Sequence, residues 1–233
     1  MNAWCVNITI FTQDKLTLTQ QSLVHLLRTN SNSTNTYDYM RGGFILELMT
    51  YKDFEKLLNS PAGSYYEGRW AYFKEVIDIV KKQDNVNSVL ELGPSFLPVV
   101  KDCDIMIKPR SDAWGRPSSK APKEYMHDAT VVPWPIKEKE YDIFIALQVW
   151  EHLVGKQREA FKEVMRVSKM AILSFPYMWD CPKDNANYPE HHMINESIIL
   201  DWTLGVEPQK IINVQRTGEK VSKGPRIIYF WRF

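Results

Sequence analysis

Residues 88–98, S-V-L-E-L-G-P-S-F-L-P, constrain this chain more than any other stretch. The apolar run that ends at Leu92 has the length and β-branched content of a buried strand. It breaks at once on Gly93, Pro94 and Ser95, as a strand does when it ends in a tight turn. Glu91 stands just before the break, where open α/β sheets bind ligands, in the crevice beyond the carboxyl ends of their strands. A carboxylate there suits a ribose or an ammonium group. The turn lacks the second and third glycines of a dinucleotide fingerprint, so its weight comes from the order of what surrounds it.

Upstream, Tyr51, Phe54, Leu57 and Leu58 have helical spacing behind Thr50, which forms a capping box with Asp53 in place of the usual Glu. Trp70, Phe73, Val76, Ile77 and Val80 make one apolar stripe, predicting a helix that starts near Tyr65 and packs on the sheet. Tyr66 and Arg69 at its start either reach a ligand over the Gly93 turn or form a surface cluster. Downstream, residues 104–108 form a second short strand, so close to Gly93 that the connection holds a turn or two of helix at most. Residues 111–123 read as a polar loop, 125–129 as the end of a third strand, and 132–135 as a bend. Tyr141 to Leu147 is the clearest strand, followed by Gln148, Val149, Trp150, Glu151 and His152. A helix over 158–167, a strand over 170–175, a helix over 197–204 and an antiparallel hairpin of 210–214 with 226–233 complete the order. Strands alternating with helices predict an α/β, doubly wound, mostly parallel sheet.

At 233 residues there is room for one large domain with an appendage. Residues 1–40, rich in Thr, Asn, Ser and Gln, read as a polar extension, and 41–233 as the folded domain. Lys+Arg 29 against Asp+Glu 28 gives no global pull toward nucleic acid or anionic membrane. Three widely spaced cysteines without zinc spacing point to a reduced, cytoplasmic protein, and no apolar run approaches the ~20 residues that cross a bilayer. His191 and His192 with Glu196 raise the question of a metal. Without H-E-x-x-H or a third ligand at helical spacing, none is expected.

The order of pieces resembles the class I S-adenosylmethionine-dependent methyltransferases. V-L-E-L-G-P-S is similar to their first motif, in a G-P-S variant. H-D-A-T with P-W-P-I resembles the segment after their third strand, Y-D-I-F-I-A-L-Q-V-W-E-H-L their fourth-strand motif, and F-K-E-V-M-R-V-S-K-M-A-I-L-S-F-P the helix and strand that follow. The resemblance covers residues 65–233 and implies a Rossmann-like sheet of about seven strands, the last antiparallel. It further implies that Glu91 and Gly93 approach the methionine part of the cofactor S-adenosylmethionine, Asp128 and Ala129 the adenine, and Gln148 the cofactor and the acceptor entrance, with Ser95 also among the cofactor-binding residues. Lys108 stands where the family has an acid for the ribose hydroxyls, which lysine cannot replace as an acceptor. Either Asp112 or Asp104 substitutes, or Lys108 faces a phosphorylated or carboxylate ligand. Ser174-Phe-Pro-Tyr177 resembles the N-P-P-Y motif of nucleic-acid methyltransferases, but it follows the fifth strand and begins with Ser. The implied activity is methyl transfer to a small molecule, with His152, His191 and His192 as candidate bases, His152 and His191 foremost. Two rivals stand beside it: an inactive methyltransferase-like binding domain, favoured by Lys108 and the missing glycines, and a nicotinamide-dependent oxidoreductase, which the G-P-S turn serves poorly.

Overall fold

The computed structural model describes residues 46–60, 63–94, 96–108, 121–180, 189–215 and 224–233. The expectations for residues 1–40, for Ser95, for Asp112 and for most of the 111–123 loop lie outside them. Three helices, α1 (Tyr51–Leu58), α2 (Gly63–Tyr66) and α3 (Trp70–Lys81), precede the sheet. Its strands are β1 (Val89–Leu92), β2 (Asp104–Ile107), β3 (Glu124–Met126), β4 (Tyr141–Leu147), β5 (Ser168–Pro176), β6 (Lys210–Val214) and β7 (Arg226–Arg232). Helix α4 (Gln157–Val167) joins β4 to β5, and α5 (Glu196–Trp202) lies between β5 and β6.

The seven strands form one sheet in the order β3-β2-β1-β4-β5-β7-β6. β1 to β5 pair in parallel, whereas β7 runs antiparallel to both β5 and β6. The expected hairpin is therefore present, with its second strand inserted next to β5 and its first at the edge. From β1 the chain builds outward through β2 and β3, then returns to place β4 on the other side of β1. That reversal makes a topological switch point, and a crevice opens there beyond the carboxyl ends of β1 and β4.

Period-two alternation divides the central strands between two cores. Val89, Ile105, Ile143, Ile145 and Ile172 pack with Phe73, Val76, Ile77 and Val80 of α3. Leu90, Leu92, Phe144, Ala146 and Leu173 pack with Phe161 and Val164 of α4 and Ile199 of α5. Because both faces are covered, these strands read as continuous apolar runs, and each large side chain buried contributes about 1.5–3 kcal/mol. At the amino ends, Asp142 Oδ2 accepts from the backbone N–H groups of Asn87 and Ser88 at 2.8 and 3.1 Å, and Lys169 pairs with Oδ1 at 2.8 Å, which fixes β1, β4 and β5 in register.

The Thr50 and Asp53 capping box forms as expected, with the Asp53 N–H donating to Thr50 Oγ1 at 3.2 Å and the Thr50 N–H to Asp53 Oδ2 at 3.0 Å. The helix expected to start near Tyr65 is instead two pieces, α2 and α3. Gly68 separates them at φ +67°, a left-handed conformation that glycine adopts without steric cost. No described helix is long and apolar enough to cross a membrane.

Candidate functional site

Gly93 ends β1 at φ +60° and donates its N–H to the Met106 carbonyl at 2.8 Å, tying the turn to β2. A Cβ at this position would lie 3.2 Å from Val149 Cγ2, so both the backbone conformation and the space call for glycine. Glu91, immediately inside, is buried, and its Oε2 accepts from the Val99 N–H at 2.8 Å. Burial pushes its carboxyl up to about 8, against the pull of the Val99 and Val100 backbone N–H groups. This carboxyl braces the loop after β1 from within.

Across the crevice, Gln148 follows β4 at φ +57°. Its backbone N–H donates to the Ser174 carbonyl at 3.0 Å and its side-chain amide to Ser174 Oγ at 3.3 Å. Tyr66 and Arg69, at the break between α2 and α3, line the same cleft as Gly93, Pro94 and Gln148. The cleft measures only about 40 Å³, less than a nucleoside occupies.

Lys108, just past β2, pairs with Asp128 Oδ2 at 2.8 Å. Asp128 Oδ1 accepts from the Thr130 N–H and hydroxyl at 3.0 and 2.8 Å. Lys108, more than burial or Thr130, governs this carboxyl, which is held down at about 2. Ala129 is buried, and its carbonyl accepts from Trp134 Nε1 at 3.1 Å. Asp104 does not substitute for the missing acid: it opens β2 at the opposite end and accepts from the Tyr141 hydroxyl at 2.6 Å.

A second group gathers beyond Gln148. One turn of 3-10 helix, Trp150–His152, follows β4, and another, Pro189–His191, lies between β5 and α5. His152 Nδ1 is 2.7 Å from Glu190 Oε1, and the His152 and His191 rings have centroids 5.0 Å apart. His191 Nε2 is 3.8 Å from Oε1 of Glu151, a residue only 1% exposed. Burial pushes the Glu151 carboxyl up to about 8, while Arg226 and Arg69 pull it down and Glu190 pushes it further up. Arg226, buried at the start of β7, lies over the Tyr72 ring at 4.9 Å and the Trp179 ring at 5.4 Å. Two of the histidines singled out in the sequence, His152 and His191, thus meet, whereas Glu196 turns away to accept from the Tyr177 hydroxyl at 2.7 Å. Glu151, Glu190 and Arg226 were not anticipated. The only sequence signals for them are an acid before His152, an acid before His191 and a lone charge opening the apolar run of β7. Two imidazoles beside two carboxyl groups can accept a proton or hold a cation.

No protein-family model matches the sequence, and no curated protein matches it. Solved structures do. The N-methyltransferase NodS of Bradyrhizobium japonicum in complex with S-adenosyl-L-homocysteine is 12% identical with a TM-score of 0.55, over 78% of this chain and 97% of that one. A methyltransferase of Thermotoga maritima, described as a possible histamine N-methyltransferase, is 13% identical with a TM-score of 0.51, over 78% and 98%. An S-adenosylmethionine-dependent methyltransferase of Mesorhizobium loti is 10% identical with a TM-score of 0.50, over 71% and 98%. At such identities the likeness is one of fold.

Proposed function

We propose that this chain, which has the fold of the class I S-adenosylmethionine-dependent methyltransferases, binds S-adenosylmethionine beyond β1 and β4 and transfers its methyl group to a small molecule. The observation that carries the reading is a convergence at one switch point. The left-handed Gly93 turn, Gln148 and Arg69 line one cleft, Glu151 and His152 follow shortly after Gln148 in the chain, and His191 joins them from the turn before α5.

The residues present fit the methionine half of the cofactor well. The bare Gly93 turn allows close approach, Arg69 offers a guanidinium to a carboxylate, and Gln148 offers an amide. Asp128 and Ala129 stand ready for the adenine, with Lys108 beside them. When bound, S-adenosylmethionine supplies an electrophilic methyl group on a sulfonium. The chain's own work is to orient the acceptor, exclude water and accept a proton where the acceptor carries one. Gln148 lines the cleft, Tyr72 and Trp179 flank Arg226, and His152 and His191 are the candidate proton acceptors. A cytoplasmic location and the division at residues 40/41 belong to the same proposal.

The Lys108 to Asp128 ion pair favours a second reading, a domain of this fold without turnover. An exposed pair of this kind is worth at most about 1 kcal/mol, or ~5-fold in affinity. Lys108→Ala is therefore expected to tighten S-adenosylhomocysteine binding by up to ~5-fold, measured by equilibrium dialysis, because Asp128 is released toward the ligand. An unchanged affinity would show that the ion pair does not hold Asp128 back from the ligand. The activity itself is tested by S-adenosylhomocysteine release across a panel of small amines and hydroxyl compounds. Turnover that drops at least about tenfold in Gln148→Asn and His191→Ala supports methyl transfer. Cofactor binding without turnover on any acceptor favours the second reading.

A further inference from the structure

We propose that Glu151, His152 and His191 form a binding site for a divalent transition-metal ion, with Glu190 orienting His152 from behind. One ligand atom from each of the three lies within 4.8 Å of the others. The separation of Glu151 Oε1 and His191 Nε2, 3.8 Å, is close to the ~3.4 Å between two ligands of a tetrahedral ion bound at ~2.1 Å.

The independent observation is Glu151 itself. It is 1% exposed, and neither carboxyl oxygen has a hydrogen-bond partner among the described residues other than its own backbone. Buried polar groups are almost always paired, and leaving one unpaired costs several kcal/mol. An ion at the centre of the three side chains satisfies it. Glu190 completes the arrangement, because a carboxylate on Nδ1 of His152 fixes the orientation of the ring and raises its basicity as a ligand. Arg226 and Arg69 act on the Glu151 carboxyl as well, and the charge of Glu190 offsets part of their effect on an incoming cation.

The donor set selects the ion. Two imidazoles and one carboxylate suit zinc, iron or cobalt, whereas magnesium and calcium prefer oxygen alone. Three protein ligands leave a position open to an exogenous oxygen. The sequence points away from this site because its ligands are split between two turns, and the acid it offers beside the histidines, Glu196, is elsewhere. On the methyl-transfer reading, an ion held here would suit acceptors with a hydroxyl group by acidifying its proton, in place of proton acceptance by His152 and His191 themselves. Ion binding itself does not depend on that reading.

The test is titration of the full chain, freed of metal with a chelator, using Co²⁺ followed by visible absorption and Zn²⁺ followed by calorimetry. The expected result is one ion per chain, with affinity reduced at least ~10-fold in Glu151→Gln and in His191→Asn and unchanged in His192→Asn. If a variant fails to fold, the wild-type chain still decides the matter, since Zn²⁺ must raise its melting temperature in a concentration-dependent way. Absence of stoichiometric binding, or equal binding by wild type and both ligand variants, overturns the site. Ion binding without S-adenosylhomocysteine binding upholds the metal site and removes the methyl-transfer reading. Cofactor binding without an ion overturns the metal site alone.

Discussion

Phe144→Ala is expected to lose about 3–5 kcal/mol of stability in urea unfolding, and to weaken ligand binding at the site as well. Phe144 is fully buried in the middle of β4, stacked on Trp134 at 5.6 Å and edge-on to Trp150 at 6.4 Å. Truncation removes the transfer free energy of the ring and leaves a cavity that two indoles and a β-strand cannot close. The functional consequence follows from Trp150, which opens the turn carrying Glu151 and His152. When its support is lost, the positions of both side chains loosen. Phe144→Leu retains most of the volume and is expected to cost less than half as much. A loss below about 1 kcal/mol for Phe144→Ala would show that this core relaxes, and that the site turn is not supported from beneath.

A second large effect is expected from pH. Glu91 has its carboxyl pushed from the ordinary 4.5 up to about 8 by burial. Below the lower value it is protonated in both folded and unfolded chains, and pH has no effect through it. Between the two values only the folded chain holds the proton, so stability falls as pH rises, and above the upper value the loss is complete. The span sets a ceiling of about 5 kcal/mol on this contribution. Gln at this position keeps a carbonyl oxygen for the Val99 N–H and cannot ionise. Glu91→Gln is therefore expected to match the wild type near pH ~5 and exceed its stability by several kcal/mol near pH ~9, read from urea midpoints. Glu151 is pushed in the same direction, so it is the difference between the two proteins, rather than the wild-type curve, that isolates Glu91. Parallel curves for the two proteins would contradict the burial argument.

The sheet was legible because its central strands are covered on both faces. Residues 141–147 and 170–175 are apolar at nearly every position, and the turns after β1 and β4 begin on Gly93 and Gln148. Tyr66 and Arg69 were legible as cleft residues from their place before the apolar stripe, although the break at Gly68, which falls between the two, was not. Lys108 could be read as a departure, but its pairing with Asp128 depends on parallel strands bringing the ends of β2 and β3 together. Glu151 and Arg226 were hidden for a different reason. Nothing in a local pattern reveals that an acid on a 3-10 turn and a base opening β7 are both buried, since that burial is set by the rest of the chain, as where Tyr72 and Trp179 flank Arg226.

The central claim is that the crevice beyond β1 and β4 holds S-adenosylmethionine. Calorimetric titration of the full chain with S-adenosylhomocysteine, alongside Gly93→Leu and Asp128→Ala, tests it most directly. Gly93→Leu places a side chain at φ +60° and against Val149, while Asp128→Ala removes the acceptor offered to the adenine. The predicted result is micromolar binding by the wild type, lost in Gly93→Leu and at least about tenfold weaker in Asp128→Ala, with both variants folded by circular dichroism. A well-folded wild-type chain that shows no heat of binding at millimolar ligand would contradict the claim and leave a methyltransferase fold put to another use.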